Sequence, residues 1–498
     1  MDERDRPPPR PGLPRGRRPP LPPGPYVVVG RGRAGSAAAT ALAAVAGASA
    51  VTVWDDGERA ADGGRLPPGV ELLPRGAAPD DHLRRRRPGA VVKSPGVPFD
   101  APIVRAALER GIPVLDELEL GWRLAPGPLI GITGTNGKST TAALVRAALA
   151  AADVDAPLAG NAEAGVPLCA LAGHRDPVVC EVSSFQLEGC PELVADSAVF
   201  LNLSHDHLHR HGSMAAYEAA KARLLTRPGR AASPVAIEAG GPAGRRLARA
   251  CARDGARVVT FGDEPKSDYR VLSASWEVER TRVEISSPSG RRRLEARLPG
   301  AHNARNLAAA MALADALGLD PAATDAALCR EPGVPGRFER IDEGQDFDVI
   351  VDFAHNPAGV EVALGTARAI ARRRPGARLR AVVSASGGHD RHKRPPMAAA
   401  ARRLADDLVL TEDNWRGEPR SGPLRDLLAG TRGVRGGRVS VVPAREEAIA
   451  TVLRRAQAGD VVLIAGRGAM PRLIRDIAGN GPAFDDRAVA RAALRELR

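Results

Sequence analysis

Short apolar runs, rich in valine, alternate with longer alanine- and leucine-rich segments over most of the chain. The short runs predict buried strands, and the segments between them predict helices. Strands that alternate with helices favour parallel sheets covered by helices, so the pattern predicts an α/β fold. The predicted strands cover residues 26–29, 50–54, 90–93, 128–130, 178–182, 198–203, 348–353, 379–384, 407–410, 439–442 and 460–465.

One glycine-rich turn stands between an apolar run and a predicted helix, at residues 131–140. Glycines let the backbone wrap an anion, and the helix N-terminus adds partial positive charge. Lys138 would reach the outer phosphates of a nucleotide, and the Ser139 hydroxyl would bind Mg²⁺. Ile132 stands where the strict phosphate-loop pattern has glycine. The alternative is a chance match in a glycine-rich chain.

A second glycine turn follows the first predicted strand, as Gly30-Arg-Gly32-Arg-Ala-Gly35. The next strand ends at Asp55, about 20 residues further on, where a ribose hydroxyl would lie in a dinucleotide-type βαβ unit. This motif is weak by itself. It leaves open an NAD-dependent oxidoreductase, although that alternative does not explain the second phosphate loop.

These motifs and the strand pattern divide the chain of 498 residues into a tail and three domains. Residues 1–25 are dominated by proline, arginine and glycine and predict a disordered tail. Residues 26–126 predict a Rossmann-like domain, residues 127–333 a central sheet domain like those of P-loop ATPases, and residues 334–498 a C-terminal Rossmann-like α/β domain.

Composition narrows the function classes. The net charge is +12, but only 3% of residues are aromatic and none interleave with the arginine runs, so a solvated basic surface is favoured over nucleic-acid binding. No segment reaches the ~18 apolar residues of a membrane span. Five scattered cysteines without Cys-x-x-Cys pairs fit reduced thiols, so a cytoplasmic protein is expected.

Four further motifs follow the phosphate loop in a fixed order, at residues 181–188, 202–213, 300–306 and 352–357. Together with the loop, this series resembles the Mur ligases, which are ATP-dependent amino-acid ligases of peptidoglycan precursor synthesis. Folylpolyglutamate and cyanophycin synthetases share their architecture. Within the family, Ser-Ser-Phe-Gln-Leu-Glu and His-Leu-His-Arg-His-Gly-Ser look like the member that adds D-glutamate to UDP-N-acetylmuramoyl-L-alanine.

The resemblance implies ATP, two Mg²⁺ sites and a monomer. Lys138, His207 and Lys221 would be catalytic, with Lys221 carbamylated by CO₂. The metal ligands would be Ser139, Glu181, His207 and Lys221. ATP contacts would come from Gly134, Thr135, Asn136, Gly137, Lys138, Ser139, Thr140, Asn303, Asn306, Arg337 and Asp352. Substrate contacts would come from Gly30, Gly32, Gly35, Asp55, Ser94, Gly96, Asn161, Ser183, His355, Asn356 and Arg416.

Several of these assignments have a plainer alternative. Glu181 would be a surface carboxylate, Lys221 an exposed lysine, and Asn303 a helix cap. The histidines at positions 205, 207, 209 and 211 would form a zinc site or a solvated loop.

The C-terminal domain departs from the D-glutamate-adding pattern. Residues 352–357 read Asp-Phe-Ala-His-Asn-Pro, which resembles the diaminopimelate- or lysine-adding member and cyanophycin synthetase. The Gly-Lys-Gly-His-Glu of that member is replaced by Gly-Arg-Gly-Ala-Met at 466–470. The loss of the glutamate disfavours a second amine on the incoming residue. Lys393, Arg394 and Arg416 would instead meet the side-chain carboxylate of an acidic amino acid, and the alternative is that they lie in a solvated loop.

The leading hypothesis is therefore an ATP-dependent ligase that adds glutamate, in the D-configuration, to UDP-N-acetylmuramoyl-L-alanine through an acyl phosphate. The expected partners are a UDP-sugar-peptide and an acidic amino acid, with no nucleic acid and no membrane insertion. The alternatives are a ligase of this type for another amino acid or another carboxylate acceptor, and a nucleotide-gated binding protein without catalysis.

Overall fold

The computed structural model describes residues 13–55, 64–73, 76, 78–161, 165–388, 390–476 and 479–497. These residues form two compact units. The first contains the chain up to Leu203 together with Glu218–Arg270 and Leu307–Leu328. The second contains Ser204–Tyr217, Val271–Asn306 and the chain from Cys329 onward.

The first sheet has five parallel strands in the order β3-β2-β1-β4-β5. Valine-rich strands with every residue buried form its centre, as the sequence pattern predicts. Its strands are β1 (Tyr26–Val29), β2 (Val51–Trp54), β3 (Glu71–Leu72), β4 (Ala90–Lys93) and β5 (Val114–Asp116), and its helices are α1 (Arg33–Ala46), α2 (Pro79–Arg86), α3 (Pro102–Glu109) and α4 (Glu117–Leu124).

The second sheet has nine strands in the order β16-β15-β14-β13-β12-β9-β6-β8-β7, and β6 pairs in parallel with β8 and β9. Its strands are β6 (Leu129–Thr133), β7 (Leu158–Gly160), β8 (Val178–Glu181), β9 (Ser197–Phe200), β12 (Val235–Glu238), β13 (Val258–Gly262), β14 (Tyr269–Trp276), β15 (Thr281–Ser287) and β16 (Gly290–Ala296), with a separate pair β10 (Thr226–Arg227) and β11 (Arg230–Ala231). The helices of this region are α5 (Lys138–Ala150), α6 (Ser184–Glu188), α7 (Leu208–His211), α8 (Met214–Leu225), α9 (Pro242–Arg253), α10 (Ala301–Ala316) and α11 (Pro321–Arg330).

The third sheet has six strands in the order β17-β18-β22-β19-β20-β21, and only its edge pair β17 and β18 is antiparallel. Its strands are β17 (Glu339–Ile341), β18 (Asp348–Asp352), β19 (Leu379–Ser384), β20 (Asp407–Thr411), β21 (Arg438–Val441) and β22 (Val461–Ala465). Its helices are α12 (Pro357–Ala371), α13 (Arg394–Leu404), α14 (Ser421–Thr431), α15 (Arg445–Arg454) and α16 (Asp486–Glu496). The predicted fold class, α/β with three largely parallel sheets, is confirmed.

The predicted disordered tail needs a correction. Arg18 donates to the Asp196 carboxylate at 2.6 Å, and its guanidinium lies 4.8 Å from the centre of the Trp122 ring. Arg123 donates to the carbonyl of Pro20 at 2.8 Å. Proline fixes an extended backbone whose carbonyls and arginine side chains bind neighbouring elements, so residues 13–25 are ordered without regular secondary structure. Residues 1–12 lie outside the described part of the chain.

The arginine runs form ordinary surface ion pairs. Arg86 at the end of α2 pairs with Glu71, where a helix C-terminus favours positive charge. Arg291 and Arg293 on β16 face Glu284 on β15. Arg292, which lies between the latter two, is only 9% exposed, so the run is not solvated throughout. Among the described residues, no helix is long and apolar enough to cross a membrane.

Candidate active site

The phosphate loop joins β6 to α5, as predicted. Gly134 and Gly137 adopt φ values of 155° and 87°, which favour glycine. Helix α5 begins at Lys138, so the N–H groups of its first turn have no partner within the helix. These donors and the helix dipole form an anion-binding site at this end of the loop.

Ser139 and Glu181 meet beside the loop. The Ser139 hydroxyl donates to Glu181 Oε2 at 2.6 Å, and Asn161 donates its amide to Glu181 Oε1 at 3.0 Å. Glu181 ends β8, the strand next to β6, and is only 2% exposed. The interpretation of Glu181 as a surface carboxylate is therefore wrong, and three predicted site residues come together here.

Two lysines donate to carbonyls of the same loop. Lys138 Nζ lies 2.8 Å from the oxygen of Thr135, and Lys221 Nζ lies 2.8 Å from the oxygen of Gly134. Lys221 projects from α8 and is 1% exposed, so the exposed-lysine alternative is wrong. Lys221 thus places a buried amine against the phosphate loop, bonded to a carbonyl of that loop.

Sequence reasoning missed Asn202, which follows β9. Its side-chain amide bonds both the N–H and the carbonyl of Asn136, at 2.9 and 3.0 Å. The available signal was an amide residue two positions after the strand that pairs with β6.

The histidine segment lies in the second unit. His207 adopts φ of 57° and precedes α7, and its ring lies 6.2 Å from that of His209 and 6.1 Å from that of Tyr217. His211 stacks on Tyr217 at 5.1 Å. In the described ranges, no group of three or more histidine, cysteine or acidic side chains could hold a metal, so nothing supports the zinc alternative.

Asp206 is the centre of a polar cluster in the same unit. Its buried carboxylate accepts from Asn356 Nδ2 and Lys393 Nζ, each at 3.1 Å, and lies 3.6 Å from His355 Nε2. Burial alone would raise the pKa of Asp206, but hydrogen bonding and charge from His355 and Lys393 hold it well below its usual value. Lys393 is therefore paired with a protein carboxylate, which contradicts its predicted contact with an amino-acid substrate.

The side chain of Asn356 is also hydrogen-bonded within the protein. Its side-chain oxygen accepts from Gly359 N at 2.8 Å and caps α12, while its amide binds Asp206. The residue is 0% exposed. Both ends of the amide are thus used inside the fold, and the substrate contact of Asn356 stays a prediction.

Arg337 and Asp352 lie at the start of the C-terminal domain. Asp352 ends β18 and accepts from Phe338 N and Ala354 N, each at 2.8 Å. The Arg337 guanidinium lies 4.1 Å from the centre of the Phe353 ring, a cation–π distance. Asp352 thus fixes the turn that carries Arg337.

Asn303 and Asn306 lie in the first turns of α10. Asn306 Nδ2 donates to Asn303 Oδ1 at 2.9 Å, and Asn303 Nδ2 donates to the carbonyl of Pro299 at 2.8 Å. Asn303 therefore does not cap the helix, because helix α10 already begins at Ala301.

Arg394 is enclosed by protein carboxylates. Its guanidinium is 0% exposed and binds Glu418 at 2.6 Å and Asp426 at 2.9 Å. Its hydrogen bonds hold the pKa of Glu418 at about 2, against the opposing effect of burial. The expectation that Arg394 meets a substrate carboxylate is wrong. Arg416, in the turn that follows β20, is half-buried and has a φ of 51°.

Arg467 occupies the position of the lysine in the Gly-Lys-Gly-His-Glu motif. It is 0% exposed and binds the side chains of Asp413 and Asn414 at 2.9 and 2.7 Å. Burial opposes ionisation of Asp413, but the Arg467 charge lowers its pKa overall. Arg467 thus fastens the 466–470 segment to the turn that carries Arg416.

The glycine turn of the first domain is as predicted. Gly30 has φ of 93°, and a Cβ on Gly35 would lie 1.8 Å from the carbonyl of Gly30, so only glycine fits. The Asp55 carboxylate accepts from Arg31 N at 3.0 Å and so holds this turn. Ser94 borders it, since a Cβ on Gly30 would lie 2.9 Å from its Oγ. Gly96 follows β4 in the adjoining turn.

Ser183 is the N-cap of α6. Its side chain accepts from Gln186 N, and the Gln186 side chain accepts from Ser183 N, which is a capping box. The Ser-Ser-Phe-Gln-Leu-Glu motif thus has a local structural cause and says little about the substrate.

Comparisons with known proteins agree with this architecture. Two family models match, the Mur ligase middle domain over residues 132–314 and the Mur ligase glutamate ligase domain over residues 336–468. The UDP-N-acetylmuramoyl-L-alanyl-D-glutamate–2,6-diaminopimelate ligase of Geobacillus thermodenitrificans (strain NG80-2) is 38% identical over 400 residues, which cover 74% of this chain and 79% of that protein. The enzyme of the same name from Geobacillus kaustophilus (strain HTA426) is 35% identical over 457 residues, or 86% and 88% of the two chains.

A solved structure of a ligase of that name is also similar. It superposes with a TM-score of 0.52 at 26% identity and covers 92% of this chain and 89% of its own. These relatives add diaminopimelate according to their names, so they do not support the expected kinship with the D-glutamate-adding member. On the matched models and the extent of the match, the chain belongs to the Mur ligase family, the ATP-using ligases of peptidoglycan precursor synthesis.

Proposed function

We propose that this protein uses ATP to activate the terminal carboxylate of a UDP-N-acetylmuramoyl-peptide and joins it to the amino group of a diamino acid of the diaminopimelate type. The observation that carries the proposal is the phosphate loop, with Ser139, Glu181, Lys138 and Lys221 gathered around it. The similarity to two diaminopimelate ligases over most of the chain supports the choice of acceptor and amino acid.

The reaction has two steps. A carboxylate oxygen attacks the γ-phosphorus of ATP, the bond to ADP breaks, and an acyl phosphate forms. The amine then attacks the acyl carbon, the C–O bond to phosphate breaks, and the amine loses a proton. Two unit negative charges at 4 Å repel by ~4 kcal/mol at an effective dielectric of 20, so the first step needs positive charge near the phosphates.

The described residues fit this requirement. The first turn of α5 offers backbone N–H groups, and Lys138 is within reach of the same space once it leaves the carbonyl of Thr135. Ser139 and Glu181 are hard oxygen donors of the kind that hold Mg²⁺. That ion would neutralise charge on the phosphates.

Lys221 and His207 are each proposed as a Mg²⁺ ligand, as in the family. A carbamate on Lys221 would convert a cation into a carboxylate-like ligand and would keep an N–H for the carbonyl of Gly134. Arg337 and Asp352 are proposed for ATP, with Phe353 holding the Arg337 guanidinium. Asn303 and Asn306 are proposed for the adenine, and the glycine turn at Gly30 for the UDP portion of the acceptor.

Glutamate is the second candidate for the incoming amino acid. One observation favours it. Met470 ends the segment 466–470, where the diaminopimelate-adding member has the glutamate that would meet the second amine. In that case Arg416 would bind the side-chain carboxylate.

A phosphate-release assay with both acceptors tests these alternatives. Purified protein, ATP and Mg²⁺ are combined with UDP-N-acetylmuramoyl-L-alanyl-D-glutamate or UDP-N-acetylmuramoyl-L-alanine. Each acceptor is tested with diaminopimelate, lysine and both enantiomers of glutamate. Turnover with the dipeptide acceptor and diaminopimelate supports the proposal. Turnover only with the L-alanine acceptor and glutamate replaces it with the second candidate, and no turnover with any pair refutes both.

A further inference from the structure

Asn202 forms an unusual double contact with the phosphate loop. Its Oδ1 accepts from Asn136 N at 2.9 Å, and its Nδ2 donates to Asn136 O at 3.0 Å. Its own carbonyl accepts from Thr135 N at 3.0 Å. Two consecutive residues of the loop are therefore bound by one residue.

These contacts extend the pairing of β6 with β9 into the loop. The regular register ends at Thr133 and Phe200, and Leu201 N then donates to Thr133 O at 2.9 Å. The backbones stay close beyond this point, because a Cβ on Gly134 would lie 2.9 Å from the Cβ of Leu201. The Asn202 amide takes the place of a further strand peptide and holds the loop to β9.

The effect on the loop is electrostatic. Three consecutive carbonyls each accept from a side chain: Gly134 from Lys221 at 2.8 Å, Thr135 from Lys138 at 2.8 Å, and Asn136 from Asn202. A carbonyl oxygen carries partial negative charge and repels a triphosphate. Because these oxygens bind protein donors, the anion is left with the N–H groups at the start of α5.

Asn202 differs from the two lysines in one respect. Lys138 and Lys221 have proposed roles toward phosphate or metal, and Lys138 must leave the carbonyl of Thr135 to perform its role. The Asn202 amide has both of its ends on the Asn136 peptide, so it can hold the loop in the free and the nucleotide-bound protein alike.

We propose that Asn202 is a positioning residue for nucleotide binding, which holds the Asn136 peptide so that the loop carbonyls stay turned away from the phosphates. This inference rests on the proposed function, because it assumes that the loop binds ATP. Loss of both hydrogen bonds should raise the ADP dissociation constant and the KM for ATP by about tenfold.

The test measures Mg²⁺–ADP binding by calorimetry and the KM and kcat for ATP in Asn202→Ala and Asn202→Asp. The aspartate is isosteric and keeps the acceptor, but it places an oxygen against Asn136 O. The exposed Asn480, which binds Asp476 at 2.9 Å, supplies the control Asn480→Ala. The expected result is a weaker ADP affinity and a raised KM in both Asn202 variants, with kcat within about threefold and the control unchanged.

A purely structural role would lower the melting temperature and the active fraction without changing the affinity of the folded molecules. ADP affinity equal to that of the wild type in both Asn202 variants would overturn the inference while the proposed function stands. If the wild type itself binds neither ADP nor ATP, the proposed function falls and the inference falls with it.

Discussion

The hydroxyl of Ser139 and the carboxylate of Glu181 share a hydrogen bond of 2.6 Å, although 42 residues separate them in the chain. Ser139 lies in the first turn of α5 and Glu181 ends β8. Parallel pairing of β6 with β8 brings these ends to one edge of the sheet. Two oxygen donors beside an anion-binding helix terminus form the geometry from which we propose the first Mg²⁺ site.

Glu181→Gln should impair the use of Mg²⁺ more than the fold. The amide keeps an oxygen for the Ser139 hydroxyl but loses the negative charge that would bind the ion. We expect the Mg²⁺ concentration for half-maximal turnover to rise by about tenfold or more. A Mg²⁺ titration of ATP turnover measures this, with the exposed Glu447→Gln as control. An unchanged titration curve for Glu181→Gln would remove the residue from the metal site.

Lys221→Ala should lose most turnover and recover part of it with added formate or acetate. A short carboxylate can enter the space left by the side chain and replace the ligand that a carbamylated lysine would supply. We expect a loss of about a hundredfold or more in kcat, with partial recovery at millimolar carboxylate. Lys138→Ala serves as the comparison, since it should also be inactive but should not be rescued. Full activity of Lys221→Ala without additives would contradict the assigned role.

Substitution of Arg394 should lower stability, whereas substitution of Arg416 should weaken binding of the amino acid. Arg394 is buried against Glu418 and Asp426, so Arg394→Ala removes a buried charge that both carboxylates bind and leaves Asp426 with Arg391 and Glu418 with Gly388 N. This should lower the free energy of unfolding by about 3 kcal/mol. Arg416→Ala should instead raise the KM for the amino acid and leave the melting temperature nearly unchanged. Melting curves and amino-acid KM values for both variants decide this. A raised KM with normal stability in Arg394→Ala would restore Arg394 as a substrate residue.

Much of the fold could be predicted from the sequence, because valine-rich runs and helical segments alternate clearly along it. The phosphate loop, Glu181 and Lys221 could also be placed, since each lies at a strand end or on a helix that the motif order fixes. Burial could not be predicted for Lys221, because the sequence of α8 does not show which of its faces meets the loop. The ordered segment at residues 13–25 was missed because composition does not reveal specific partners such as Asp196.

The substrate residues were the hardest to predict. Lys393, Arg394 and Asn356 are predicted to meet a ligand, but each is bound by a protein side chain from another part of the sequence. Asn202 was overlooked for the related reason that its role depends on the pairing of β6 with β9. Local motifs give residue types, whereas the availability of a side chain depends on contacts that only the fold creates.

Glu117 should make stability depend on pH. The carboxyl is 1% exposed, and burial raises its pKa from 4.5 to about 7, although a hydrogen bond from Cys169 N opposes this rise. Because the pKa of Glu117 is raised in the folded state, the protonated carboxyl contributes its full stabilisation of the fold below pH 4.5. This contribution is lost as the pH rises through 7. The free energy of unfolding should thus fall by about 3 kcal/mol from this group between pH 4.5 and pH 8.

Glu117→Gln removes the titrating group and should reduce the change in calorimetric melting temperature between pH 5 and pH 8. The exposed Glu109→Gln is the matched control and should behave as the wild type. The same pH dependence in Glu117→Gln and the wild type would show that this carboxyl does not titrate as described.

The central claim is that the phosphate loop directs the terminal phosphoryl group of ATP to a carboxyl oxygen. The most direct measurement uses UDP-N-acetylmuramoyl-L-alanyl-D-glutamate with ¹⁸O in its terminal carboxylate and follows the label by mass spectrometry. With ATP, Mg²⁺ and diaminopimelate, one labelled oxygen should appear in the released phosphate for each peptide bond formed. Peptide-bond formation with unlabelled phosphate, or phosphate release without any product, would contradict the account.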